Sequence, residues 1–235
     1  MLFGEICTIL EQQARWTRIR LESDGQEGWV DAKMISTLSK EEEAKLKKAN
    51  NEAIVAFPMT YAVSENNGQT IPLTAGTRLY NYKEGRFEVL GVGFRIDPNM
   101  VTTKPREMNQ DNLLQTVRFF LNTPYLWGGK NALGMDCSGF TQVIMALFGK
   151  KLFRNASEQA KQGHAVSSIE KIKAGDLVFF AHEGEERITH VGIAIDKERV
   201  IHCSGRVKVE KLDEHGIFSG EQGNYTHQLI VIKRL

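Results

Sequence analysis

The chain has 235 residues and a mass of 26.5 kDa, room for one large domain or two modest ones. Hydrophobic residues at 41% and charged residues at 25% place it among folded globular chains, and Lys+Arg 30 against Asp+Glu 29 leaves a formal charge of +1, which gives no electrostatic case for nucleic acid. Three cysteines without a CxxC spacing suggest neither a disulfide framework nor a cysteine zinc knuckle, and no stretch approaches the roughly 18 apolar residues of a membrane span.

Met1-Leu2-Phe3-Gly4-Glu5 offers no basic segment followed by a long apolar one, so a signal peptide is not expected. As it stands the chain reads as cytoplasmic; the cell envelope is the alternative if residues precede Met1. Residues 1–38 read as short strands of a small barrel: Trp16, Arg18 and Arg20 alternate with Thr17, Ile19 and Leu21, Asp24-Gly25 marks a turn, and Gly28-Trp29-Val30 starts another strand. Residues 39–52 read as a helical linker, with Ser39 and Glu42 spaced for a capping box. Residues 53–98 return to strands and turns, punctuated at Asn66-Asn67-Gly68 and Ala75-Gly76, and read as a second small barrel. After the Asp97-Pro98-Asn99 break, residues 99–235 carry helical spacing first (Leu113, Leu114, Val117, Phe120, Leu121) and strands later, the pattern of an α+β domain.

The chemistry concentrates in this last part. Cys137 precedes Phe140, Val143, Ile144 and Leu147, a helical stripe that ends at Gly149, so Cys137 falls in the first turn of an apolar helix. Free N–H groups and the partial positive charge at a helix start favour a thiolate, the reactive form of cysteine. The competing reading is a buried packing cysteine. A nucleophile needs a base. Thr189–Asp196 has strand character, with His190, Gly192 and Ala194 on one face; the small residues would leave room for a helix end to approach. A core histidine is the competing reading for His190. The next strand, Arg199–Ser204, offers His202 as a hairpin neighbour. A neutral His202 accepting the Nδ1–H of His190 would leave Nε2 facing the sulfur. Cys7 and Cys203 read as packing residues, and His182 as a solvated loop residue.

Tyr125-x-Trp127-Gly128-Gly129, Asp136-Cys137-Ser138-Gly139-Phe140, Ala174–Phe180, His190-Val191-Gly192-Ile193 and Val200-Ile201-His202 closely resemble, in the same order, the NlpC-type papain-like cysteine peptidases of bacterial cell-wall metabolism. Leu2-Phe3-Gly4-Glu5, Trp16 and Asp24-Gly25-x-x-Gly28-Trp29-Val30 are similar to a bacterial SH3-like module, and residues 53–97 look like a more divergent one. The resemblance is nearest to γ-D-glutamyl-L-diamino acid endopeptidases. It implies Cys137 as nucleophile, His190 as general base and acid, His202 as the polarising third residue, and Tyr125 as a donor to the oxyanion. It also implies Asp136, Ser138 and Ser157 as substrate-binding residues, with Asp136 facing a substrate ammonium. The family's acidic residue that binds the free amine would fall before Met1, and a tyrosine of the same module falls near Gln26.

What the resemblance implies is cleavage of a γ-D-glutamyl bond to diaminopimelate or lysine, through a thioester, in peptidoglycan-derived peptides. It calls for no cofactor and no metal, although Cys137, His190 and His202 are zinc-compatible by ligand type. Two other readings remain at this point: a wall-binding protein with a lapsed catalytic domain, and an amidase or acyl transferase on the same fold.

Overall fold

In the computed structural model, which describes residues 1–49 and 53–235, the chain divides into two units, Met1–Lys104 and Pro105–Leu235, each taken here by itself. In the first, β1 (Cys7–Gln12), β2 (Trp16–Leu21) and β3 (Glu27–Asp31) form an antiparallel sheet in the order β1-β2-β3. The alternation in β2 buries Thr17, Ile19 and Leu21, while Trp16 and Arg20 stay exposed. Helix α1 (Lys40–Lys48) starts as the sequence predicts: Ser39 accepts from the Glu42 N–H, and the Glu42 carboxylate accepts from the Ser39 N–H. The last part of the expected linker, residues 50–52, lies outside the described residues.

The rest of this unit comprises β4 (Ala53–Val55), β5 (Met59–Ser64), β6 (Thr70–Thr74), β7 (Arg78–Leu79), β8 (Arg86–Val89), β9 (Val92–Ile96) and β10 (Val101–Thr102). They make one sheet in the order β6-β5-β9-β8 and another in the order β10-β4-β7. Val55, Ala62, Leu73, Leu79, Phe87, Phe94 and Ile96 fill the space between them. Because β10 pairs with β4, this unit runs to Lys104, past the Asp97-Pro98-Asn99 break at which the sequence reading starts the last domain.

The second unit opens with α2 (Gln110–Val117), capped by Asn109, and a short hairpin of β11 (Lys130–Asn131) and β12 (Gly134–Met135). Helices α3 (Cys137–Leu147) and α4 (Ala156–Gln159) follow, then β13 (His164–Ala165), β14 (Leu177–Ala181), β15 (His190–Ala194), β16 (Arg199–Ser204), β17 (Arg206–Asp213), β18 (Gly216–Ser219) and β19 (Asn224–Arg234). The strands form an antiparallel sheet in the order β13-β19-β14-β15-β16-β17-β18, and pairing of β18 with β19 closes it on itself. Closure gives every strand an inner and an outer face. Val178, Phe180, Ala194, Val200, Leu212, Ile217 and Ile232 fill the inside. Val191, Ile193, Ile201 and Cys203 alternate with the inward residues and are fully buried too, because α3 covers the outer face of β15 and β16. Phe140, Ile144 and Leu147 of α3 are at most 2% exposed, each worth about 2 kcal/mol relative to exposure. Gly149 ends α3 at φ +73°, where its N–H bonds to the Ala146 carbonyl and the Lys150 N–H to that of Met145.

Candidate active site

Asp136 caps α3 through a hydrogen bond from the Gly139 N–H, so Cys137 is the first residue of the helix. The loop before the helix must lie flat against it: a Cβ on Gly139 would come within 2.2 Å of the Gly129 carbonyl oxygen. The backbone N–H groups of Ser138 and Val191 lie close enough to the sulfur to favour its anion. Val191 is one residue past His190, so the start of α3 and the start of β15 meet at the thiol.

His190 and His202 do pair, but through the opposite nitrogen from the one the sequence reading assigned. His190 Nε2 lies 2.8 Å from His202 Nδ1, which leaves His190 Nδ1 as the nitrogen available to the thiol. Two residues that the sequence reading did not find complete the group. Glu210 on β17 accepts from His202 Nε2 at 2.9 Å, and His227 on β19 lays its ring 4.2 Å from that of His190, tilted by 32°. Gly192 also has a different role from the expected one. A Cβ there would meet Val200 Cγ2 at 2.6 Å and His202 Cβ at 3.1 Å, so its missing side chain makes room for β16 inside the closed sheet, while α3 packs outside.

Tyr125 is half-buried; its N–H bonds to the Gly205 carbonyl, and its backbone bridges to Met135, which places it beside the helix start. Ser157 is exposed on α4. Asp136 and Ser138 are turned inward instead. Both Asp136 oxygens are engaged: Oδ1 by the Gly139 N–H at 2.7 Å, the Ser138 hydroxyl at 3.2 Å and Arg154 at 2.9 Å, Oδ2 by the Gly128 N–H at 2.9 Å and Arg154 at 2.5 Å. Arg154 also donates to Ser138 Oγ at 2.9 Å. These five donors exhaust the acceptor capacity of a carboxylate, so a substrate ammonium would have to displace one of them. As for metals, His202 has both ring nitrogens in hydrogen bonds, and among the described residues no group of three or more His, Cys, Asp or Glu side chains is arranged to hold an ion.

Residues 122–221 match the NlpC/P60 family, and residues 1–35 match the bacterial dipeptidyl-peptidase Sh3 domain. A γ-D-glutamyl-L-lysine dipeptidyl-peptidase of Bacillus subtilis is 30% identical over 215 residues, covering 86% of this chain and 70% of the relative. The chain belongs to the NlpC/P60 family. A peptidase of the same name from Bacillus cereus is 26% identical over 224 residues, and this chain spans 65% of its length. The crystal structure of an NlpC/P60 family protein from Bacillus cereus superposes with a TM-score of 0.83 at 24% identity, covering all of this chain and 80% of that one, so the fold is shared. The first sheet is accordingly an SH3-like domain, and the second unit has the NlpC/P60 fold, α+β as expected.

The electrostatics of this NlpC/P60 site depart from the helix-start expectation. Burial pushes the Cys137 thiol up to about 11, and the neighbouring Asp136 carboxylate adds to the rise; the two N–H groups near the sulfur do not offset this. Burial likewise holds His190 well below its ordinary value, helped by His202 and His227. Burial thus favours the neutral form of both the thiol and the imidazole. His202 is also lowered by burial, and His227 is brought down to about 4 by the same cause and the nearby His202. These shifts set a pH dependence of stability. Each histidine takes up a proton at about 6.5 in the unfolded chain and only at lower pH when folded, so its contribution is complete above 6.5 and is lost as the pH falls. The melting temperature should fall between pH 6.5 and about 4, and His227→Phe should make that slope shallower. Calorimetry at a series of pH values reads it; a flat profile would contradict the neutral cluster.

Proposed function

We propose that this chain hydrolyses the γ-D-glutamyl–L-diamino acid bond of peptidoglycan-derived peptides through a thioester on Cys137. As a member of the NlpC/P60 family it is a hydrolase, a cysteine peptidase; the bond, the substrate and the residue roles are the proposal. The observation that carries it is the ordered line Glu210–His202–His190, which leaves one imidazole nitrogen for the thiol at the start of α3. We read residues 1–38 and 53–104 as SH3-like modules and 105–235 as the papain-like catalytic domain.

The steps follow from the proton positions. As Sγ attacks the γ-carbonyl of the D-glutamyl residue, the thiol proton passes to His190 Nδ1 and an S–C bond forms. A neutral pair at rest suits this order, because the thiolate is generated only when the electrophile arrives. The oxyanion is met by backbone N–H at the helix start and by the Tyr125 hydroxyl. Tyr125 remains a donor at working pH, since burial and the neighbouring Cys137 and Asp136 push it up to about 12. The C–N bond then breaks as His190 returns its proton to the departing amine. Water, deprotonated by His190, cleaves the thioester and restores the thiol. Ser157, exposed on α4, is the substrate contact whose side chain is not already engaged in the Asp136–Arg154 group.

The relatives' names contain L-lysine, and the resemblance admits diaminopimelate equally. The engaged oxygens of Asp136 bear on the other end of the substrate. With five donors already on this carboxylate, an unblocked leading amine should gain little. L-Ala-γ-D-Glu-diaminopimelate and its N-acetyl form should thus be cleaved at rates within about tenfold of each other. Mass spectrometry of the released dipeptide checks both points. Absence of product from both peptides and from their lysine analogues would reject the assignment. A preference above about 100-fold for the free amine would return Asp136 to the amine site.

A further inference from the structure

The reading of Cys137, His190 and His202 as nucleophile, base and third residue leaves Glu210 without a role, and the following rests on that reading. We propose that Glu210 is a positioning residue that fixes which nitrogen of each histidine carries the proton, and that Lys208 fixes Glu210. The register of β16 and β17 pairs His202 with Lys208 and Val200 with Glu210, so Glu210 stands diagonally across from His202 on the inner face. The Glu210 side chain is 6% exposed and that of His202 is 0%. Glu210 Oε2 lies 2.9 Å from His202 Nε2.

Burial would raise the Glu210 carboxyl, but the hydrogen bond from His202 and the nearby Lys208 ammonium outweigh it and bring it down to about 2. It is a carboxylate at neutral pH, an acceptor with no proton to give. His202 must therefore donate from Nε2. Being neutral, it then presents a lone pair at Nδ1, and His190 must carry its own proton on the Nε2 that faces this lone pair. His190 Nδ1 is left as the lone pair that can take the thiol proton. The basic nitrogen of His190 is thus set by a group on another strand, two imidazoles away.

Lys208 makes the arrangement testable with an isosteric change. Its ammonium sits 3.2 Å from the other oxygen, Oε1. In Glu210→Gln, the amide oxygen should turn to Lys208 and the NH2 to His202. His202 must then accept at Nε2 and donate from Nδ1. His190 would accept at Nε2 and hold its proton on Nδ1, facing the sulfur with no lone pair. The wrong tautomer costs a catalytic histidine several orders of magnitude in kcat. We expect kcat to fall at least roughly 100-fold for Glu210→Gln, with KM changed less than about threefold. Adding Lys208→Met frees the amide to turn, and should recover about tenfold of that loss. A role in stability alone predicts neither the split between kcat and KM nor the rescue.

The experiment is nitrogen-15 NMR of the histidine rings in the full chain, with kinetics of the three forms on the stem tripeptide. In the unmodified protein His202 and His190 should both be protonated at Nε2, and in Glu210→Gln both at Nδ1. His202 protonated at Nδ1 in the unmodified protein would overturn the proposal, and this reading does not depend on any variant folding. A wild-type kcat in Glu210→Gln would also overturn it. Cys137→Ala and His190→Ala are measured alongside: activity surviving in them condemns the catalytic reading itself, whereas their loss beside an undiminished Glu210→Gln condemns only the role of Glu210.

Discussion

Replacing Cys137 by alanine should lower kcat on the γ-D-glutamyl tripeptide by at least about 10⁴-fold while leaving the fold in place. The size follows from the chemistry. Without sulfur no thioester forms, and what remains is binding and the N–H groups of the helix start, which for other acyl-transfer enzymes retain only a small part of the acceleration. The fold should survive because the change removes one heavy atom at the start of α3, and the apolar stripe that anchors the helix begins at Phe140. A stability loss of about 1 kcal/mol or less is expected. His190 keeps its bond to His202 in the variant, so the site is intact apart from its nucleophile. Single-turnover assays separate the outcomes. A residual rate within about tenfold of the parent would remove Cys137 from the mechanism and point to water activated directly by His190. Cys203 does not offer a substitute nucleophile: it is fully buried, burial pushes it up to about 12, and its thiol donates to the Met135 carbonyl at 3.1 Å.

Cys137, His190 and His202 are legible in the sequence because local patterns place them. An apolar helical stripe locates the cysteine at a helix start, and two strands joined by a short turn bring the histidines together. What is not legible is decided by non-local pairing. His227 reaches His190 only because β19 closes the sheet against both β14 and β18. Glu210 did leave a trace. In β17 the inward positions are Lys208, Glu210 and Leu212, and Val209 between them is 40% exposed, so a buried acid beside an exposed valine breaks the usual alternation. The choice of nitrogen on His190 depended on Glu210 and was lost with it. The surroundings of Asp136 are legible only in part. An Asp before an apolar helix is the ordinary sign of an N-cap, and its partner Arg154 comes from 18 residues further on, which no local pattern reveals. The thiolate expectation failed on the same residue: a helix start favours the anion, but burial and the capping carboxylate oppose it more strongly.

Arg154 should therefore be the residue outside the catalytic group whose loss costs most. Arg154 is 8% exposed, and its guanidinium bonds both oxygens of Asp136, itself 6% exposed. Arg154→Met keeps most of the volume but leaves the carboxylate buried with only the Gly128 and Gly139 N–H groups and the Ser138 hydroxyl. Breaking one half of a buried pair costs about 3–5 kcal/mol, which lowers the melting temperature of a chain this size by roughly 10 °C or more. Arg154→Lys should recover only part of this, because a single ammonium cannot face both oxygens at once. The damage should reach catalysis too. Asp136 fastens the first turn of α3, which carries the sulfur, to the Gly128 loop, so a loosened cap moves Cys137 relative to His190 and kcat falls with stability. The double variant Arg154→Met with Asp136→Asn removes the unpaired charge. If the cost arises from that charge, the double variant will melt above Arg154→Met alone, giving a coupling energy of at least about 1 kcal/mol in the cycle. Additive losses would show instead that Arg154 acts by filling space, and Asp136 would again be open to a substrate ammonium.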